Sequence, residues 1–438
     1  MAFPELAPML EKAEGANPYR VCGKIDEIYG LTLLATGPEM SLGDLCHVRP
    51  RKGGPLLPVE VVGFRGGKIL LMPLGAADGI SPGSILVPTH KPRSVKAGPG
   101  LLGRVIGSSG QPIDGGPPIA WEKELPLLAP PPPPLSRPRI REALATGVRA
   151  IDSCTTCGKG QRMGILSGSG VGKSKLIGMV ARNTNADINV IALIGERGRE
   201  VREFIESDLG SEGLARSVVV VATSDEPALL RLSGAYIATA VAEYFRDEGA
   251  DVLLVMDSVT RFAMAQREVG LAVGEPPTTK GYPPSVFALL PRLLERAGNS
   301  DRGSITGFYS VLVEADDLND PIGDAVRSIL DGHIALSRSL ASRGHYPPVE
   351  VLDSVSRCMI DVTSEEHREL SRQLRSHLAT YREAEDLVNI GAYVAGSNPE
   401  IDSALRRMPD IRRFLVQGLY EPAPYDQISA AMHAALQG

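Results

Sequence analysis

Residues 163–174, MGILSGSGVGKS, carry an apolar run straight into a glycine-rich turn that ends in Gly172-Lys173-Ser174. A chain with this segment must deliver a buried strand, a tight turn and a helix in direct succession, since LIGMVARN follows with helical character. Gly168, Gly170 and Gly172 permit close backbone approach to a ligand. The loop Gly168, Ser169, Gly170, Val171, Gly172, Lys173, Ser174 and Lys175 is therefore expected to cradle a nucleoside triphosphate. Backbone N–H groups would face the β-phosphate, Lys173 would reach the β/γ oxygens, and the Ser174 hydroxyl would ligate Mg²⁺. Ser167 stands where the usual pattern has Gly or Ala, and a small side chain still fits there.

The 438 residues are 43% apolar and 22% charged, enough for two or three packed cores. A formal charge of −6 with no basic block gives no support for nucleic acid as the main partner. The amino-terminal stretch lacks the pattern of a secretory leader, and no run is apolar for about eighteen residues, so a cytosolic chain is expected. Five scattered cysteines argue against a disulfide framework. Cys154 and Cys157 form a single CxxC without a second one, and read as structural or incidental thiols.

Residues 19–95 break into short β-prone runs between glycine turns (GKIDEIYG, LTLLATG, LPVEVVGF, KILLMPL, SILVP), the signature of a small β-barrel with a structural role. Five prolines at 130–134 predict a stiff, extended connector lying against the next domain. Within 96–362, apolar strands (INVIALIG, SVVVVAT, DVLLVMD, SITGFYSVLVEA) alternate with helix-length segments. That pattern predicts an α/β domain with a mainly parallel sheet, whose ligands gather at the carboxyl ends of its strands. From 363 to 438 the pattern turns helical, with one long segment over 364–395 and a second helix over PDIRRFLVQGL. Residues 1–18, with Leu6, Met9 and Leu10 near helical spacing, form a separate segment expected to dock a partner.

Cleaving a phosphoanhydride requires a metal, positive charge on the phosphoryl oxygens and a group that orients water. Asp257 ends an apolar strand, where a carboxylate holds Mg²⁺ beside Ser174, usually through water. Glu196 ends the neighbouring strand, placed to act as general base or as orienter of water, or else as an acid at a helix start. Arg197 and Arg261 are open between phosphate binding and simple pairing with carboxylates.

Gly195-Glu-Arg-Gly-Arg-Glu200, Asp257-Ser-Val-Thr-Arg261, Gly274-Glu-Pro-Pro277, GYPPSVFALLPRLLERAG at 281–298 and Tyr346-Pro347 together resemble the α/β-subunit family of rotary ATPases. LMPLG, LLGRV and the long GYPPSVFALL run are similar to its type III secretion and flagellar export branch. Asp317-Leu-Asn-Asp-Pro321 and Arg137-Pro-Arg-Ile140 favour the flagellar system. The resemblance implies a RecA-like P-loop core and an ATPase that drives export of flagellar subunits at the cytosolic face of the inner membrane. It assigns phosphate and metal contacts to Lys173, Ser174 and Asp257, and the catalytic carboxylate to Glu196. It gives γ-phosphate contacts to Arg197 and Arg261, adenine stacking to Tyr346, and an arginine offered to the neighbouring subunit to Arg357. The implied partners are five further copies in a homohexamer, a stator-like regulator at the amino terminus, a central stalk, an export-gate membrane protein and chaperone–substrate complexes.

The chain departs from the family pattern at Val349-Glu350, Lys175 and Ser167, none of them a reacting group. GAYVAGSNPEI at 391–401 also lacks the acidic cluster of the synthase β subunit, so contacts to a stalk would differ. An injectisome ATPase, an ion-coupled synthase subunit and a non-catalytic nucleotide-binding adaptor are the other readings. The short amino terminus and export-type run weigh against the synthase, and the presence of Glu196 weighs against the adaptor.

Overall fold

Period-two alternation of apolar residues closes the first part of the chain into a barrel. The computed structural model describes residues 21–51, 53–313 and 320–437; the 1–18 segment and most of the Asp317–Pro321 motif lie outside them. Strands β1 (Gly23–Tyr29), β2 (Thr32–Thr36), β3 (Asp44–Arg49), β4 (Leu57–Arg65), β5 (Lys68–Pro73) and β6 (Ile85–Pro92) pair antiparallel in the closed order β1-β2-β5-β4-β3-β6. Ile25, Leu33, Cys46, Val59, Leu71 and Leu86 fill the interior. Full closure leaves no unpaired strand edge. The sequence runs omit β3, DLCHVR, whose inward Cys46 and Val48 alternate with polar neighbours over too short a stretch to stand out.

Chain contacts divide between Arg93 and Ser94. The second unit is built on a nine-stranded sheet: β7 (Val105–Gly107), β8 (Arg162–Ser167), β9 (Ile188–Glu196), β10 (Ser217–Thr223), β11 (Asp251–Asp257), β12 (Gly298–Asn299), β13 (Ser304–Leu312), β14 (Gly332–Leu336) and β15 (Val349–Ser356). Its order is β15-β14-β8-β13-β11-β9-β10-β7, with β12 pairing on β13. Every pair from β14 to β7 is parallel, whereas β15 and β12 pair antiparallel. Strands β9, β10, β11 and β13 are almost wholly buried. Helical crossovers cover both faces of such a sheet, which explains their continuous apolar character.

The helices that matter for the site are α1 (Lys173–Asn183), α2 (Ala228–Asp247), α3 (Val259–Val273) and α4 (Pro284–Leu294). Helix α5 covers Pro321–Ile329, and α6 (Glu365–Asn389), α7 (Pro399–Leu415) and α8 (Ile428–Gln437) form the carboxyl-terminal layer. Leu370, Leu374, Ile411 and Phe414 of that layer share one apolar cluster with Ile165, Ile177 and Phe308.

Two helical expectations need correction. The long segment stops at Asn389, and the next helix begins at Pro399, ten residues before PDIRRFLVQGL. The Asn398 side chain caps it by accepting from the N–H groups of Glu400 and Ile401, and Pro399 sits where its missing N–H is harmless. Pro409 is tolerated inside the helix rather than opening it. Helix α8 was not anticipated, although Ile428, Met432, Ala435 and Leu436 are buried at helical spacing.

The connector at 127–137 is tied to the loop after α4. Arg137 donates to the carbonyls of Glu295 at 2.7 Å and Ala297 at 3.1 Å. Arg296, only 1% exposed, donates to the Leu127 carbonyl at 2.7 Å and grips Glu243 of α2 through bonds of 2.8 and 2.6 Å. Removing one partner of such a pair strands a buried charge. Glu243→Ala should therefore lower unfolding stability by about 3–5 kcal/mol, while Glu243→Leu combined with Arg296→Met recovers most of the loss; urea melts of the three proteins check this.

Candidate active site

Parallel strands all end at the same edge of a sheet, so residues at their carboxyl ends converge whatever their separation in sequence. At the end of β8 the chain turns through Gly168–Gly172 into α1. Gly170 and Gly172 adopt φ of 75° and 106°, open to glycine at little cost. A Cβ on Gly172 would lie 3.7 Å from the Tyr346 ring, so that ring stands beside the loop. Tyr346 is half exposed, and its carbonyl is held by the Gln417 N–H at 2.9 Å, just beyond α7. Arg338 braces the other flank by donating to the Ser169 carbonyl at 3.3 Å.

Lys173 opens α1 and forms an ion pair with Asp257, which ends β11. The Ser310 hydroxyl of β13 donates to the same Asp257 oxygen at 2.6 Å and lies 3.5 Å from the Lys173 ammonium. Asp257 itself is 2% exposed. Sequence reasoning missed Ser310, one of three serine or threonine residues, with Ser304 and Thr306, in β13. The Asp257–Ser258 peptide bond is cis, and the Ser258 hydroxyl then caps α3 by accepting from the Arg261 N–H at 3.3 Å.

Glu196 closes β9 after a register shift between Ile194 and Glu196. Gly195 makes that bulge possible, with φ of 71°; a Cβ there would also strike the Arg261 stem at 2.9 Å. Partial burial pushes the Glu196 carboxyl up to about 7, and the Asp257 charge adds to the rise while Lys173 opposes it. The carboxyl is thus poised near neutrality, in the range where a general base is most effective.

The arginines divide. The Arg261 stem packs on Gly195, and its Nε is buried with no hydrogen-bond partner. Arg197 is exposed, 3.5 Å from Glu200. Arg357 is exposed and lies past the end of β15, at the opposite edge of the sheet from the P-loop. The Lys175 ammonium is engaged by Asp208 at 2.7 Å and Glu203 at 3.8 Å, leaving its main chain as what it offers the loop. Cys154 and Cys157 are buried in the core, and burial raises both thiols.

The donors suit a hard divalent cation. Ser174 is exposed beside Lys173, and Asp257 supplies a carboxylate. Among the described residues there is no group of three or more His, Cys, Asp or Glu arranged for a metal.

Residues 147–356 match the ATP synthase alpha/beta family, nucleotide-binding domain, and residues 363–434 match the T3SS EscN ATPase C-terminal domain. The flagellum-specific ATP synthase of Bacillus subtilis is 54% identical over 431 residues, 97% of each chain. This chain belongs to that family, in its flagellar and type III secretion branch. The type 3 secretion system ATPase of Xanthomonas euvesicatoria is 52% identical over 93% of this chain and 91% of its own. The assembled ATPase EscN of enteropathogenic E. coli superposes with a TM-score of 0.90 at 44% identity, over 94% of this chain and 100% of EscN. EscN has also been solved in complex with its central stalk EscO. The protein is an ATPase with a RecA-like core.

The Glu196 shift has a stability consequence. Its folded value of about 7 lies above the ordinary 4.5, so its contribution is fully present below pH 4.5 and is lost as pH rises through 7. Glu196→Gln should leave the ligand-free melting temperature unchanged at pH 4.5 and raise it at pH 8. The gain should be a few degrees, on the order of 1 kcal/mol after solvent screening; thermal scans at the two pH values check it.

Proposed function

We propose that the chain hydrolyses ATP as a homohexamer in which each reaction centre is completed by Arg357 of the next copy, and that this activity energises export of flagellar subunits. The observation that carries the reading is the placement of Arg357. Strand β8 separates the two edges of the sheet by six residues, on the order of 20 Å, so no chain reaches its own P-loop with its own Arg357. A second copy is what supplies it. A cation delivered in trans stabilises the charge of the transition state only when the interface closes.

Within one chain, Lys173 and the loop N–H groups bind the β- and γ-phosphates, and Tyr346 lies against the adenine. Ser174 and Asp257 would hold Mg²⁺, which when bound would supply neutralising charge at the phosphate oxygens. Glu196 orients water and accepts its proton, and Arg261, with Arg197 at the rim, contacts the γ-phosphate. The unpartnered Arg261 Nε supports that assignment. Arg357→Ala should cut turnover on the order of 10³-fold while leaving nucleotide binding within about twofold. Wild-type turnover per chain should rise with protein concentration. Unchanged turnover in the variant, or full activity in a dilute monomer, refutes the trans role.

Relatives of both flagellar and type 3 secretion name stand at near-equal identity, which keeps an injectisome role as the second reading. A chromosomal Glu196→Gln strain decides between them: loss of hook and filament subunits from the medium supports the flagellar role, and their normal secretion with loss of needle substrates supports the other. The remaining partners follow from this reading. Residues 1–18 engage a stator-like regulator, and the export-gate membrane protein and chaperone–substrate complexes meet the ring at the cytosolic face of the inner membrane. A central stalk meets the tip after α6, where exposed Leu387, Ile390 and Val394 offer apolar rather than acidic contacts. Among the described residues no helix is long and apolar enough to cross a membrane.

A further inference from the structure

The backbone of the turn that carries Arg357 is fixed from below. The Arg357 N–H donates to the Asp331 carbonyl at 3.0 Å, and the buried Gln161 amide donates to that same carbonyl at 3.0 Å. Asp331 is in turn clamped at the start of β8. Its carboxylate accepts from the Arg162 side chain at 3.0 and 3.2 Å and from the Arg162 N–H at 3.2 Å, and its own N–H donates to the Arg162 carbonyl at 2.9 Å. Arg162 also forms an ion pair with Glu295, at the end of α4. The guanidinium is largely buried, so the clamp is bidentate and only weakly screened.

From this we infer that Arg162 and Asp331 are positioning residues for Arg357: the ion pair fixes the height and direction of the turn from which the arginine is offered to the next copy. The inference rests on the trans role of Arg357. It adds that strand β8 carries the P-loop of one reaction centre at its carboxyl end and the anchor for the neighbouring centre's cation at its amino end. The clamp touches no substrate. Its loss lets the Arg357 backbone wander, and misplacement of about 1 Å at a charge-stabilising group costs up to about 100-fold in rate.

A double-mutant cycle on the full-length, assembled protein tests this. Asp331→Asn and Arg162→Gln attack the clamp from its two sides and keep the side-chain volumes close. Each should lower kcat about tenfold, leave KM for ATP within about twofold, and leave binding of a fluorescent ATP analogue by the isolated chain unaltered. In an Arg357→Ala background, neither should reduce kcat further, because the group they position is gone. Equal losses with and without Arg357 would mean a general structural role and overturn the inference, as would wild-type turnover in both clamp variants. If Arg357→Ala alone leaves turnover unchanged, the trans role itself has failed, a result separate from the behaviour of the clamp. Should one variant not fold, the other reads the same contact.

Discussion

The polarity of a parallel sheet governs this molecule. Because β8, β9, β11 and β13 run the same way, Lys173, Glu196, Asp257 and Ser310 gather at one edge although they span more than a hundred residues of chain. There a carboxylate that is almost fully buried is made tolerable by one ammonium and one hydroxyl. The same direction of travel places the starts of those strands at the far edge, with Arg162, Asp331 and the Arg357 turn. Chemistry at one end and an unspent cation at the other is an arrangement that a single copy does not bring together.

Electrostatics within the near edge divides the labour among acids. Asp257 keeps an ammonium and a hydroxyl as partners. Glu196, reached through a glycine bulge, has burial and a like charge against it, and so holds its proton up to neutral pH. Two carboxylates of the same chemical class thus meet different surroundings at one edge of the sheet.

Much of this was legible beforehand. The P-loop, the strands that end in Glu196 and Asp257, and the barrel all show in runs whose periodicity is long or whose turn chemistry is unambiguous. What escaped notice was short or depended on contacts across the sheet. Strand β3 alternates over only six residues, and α8 hides in an alanine-rich stretch. The start of α7 turned on recognising Asn398-Pro399 as a cap rather than Pro409 as an opening. Ser310 and Arg162 matter through neighbours far away in sequence, and no local pattern reveals which carboxylate a hydroxyl or guanidinium will meet.

Strand β15 runs from beside Tyr346 at one edge to Arg357 at the other. It pairs with β14 only at its two ends, through Val349 and Glu350 at the first and Val355 and Ser356 at the second, with a register irregularity between them. On the proposed reading, one eight-residue strand thus links the loop that would hold nucleotide to the turn that would serve the neighbouring copy.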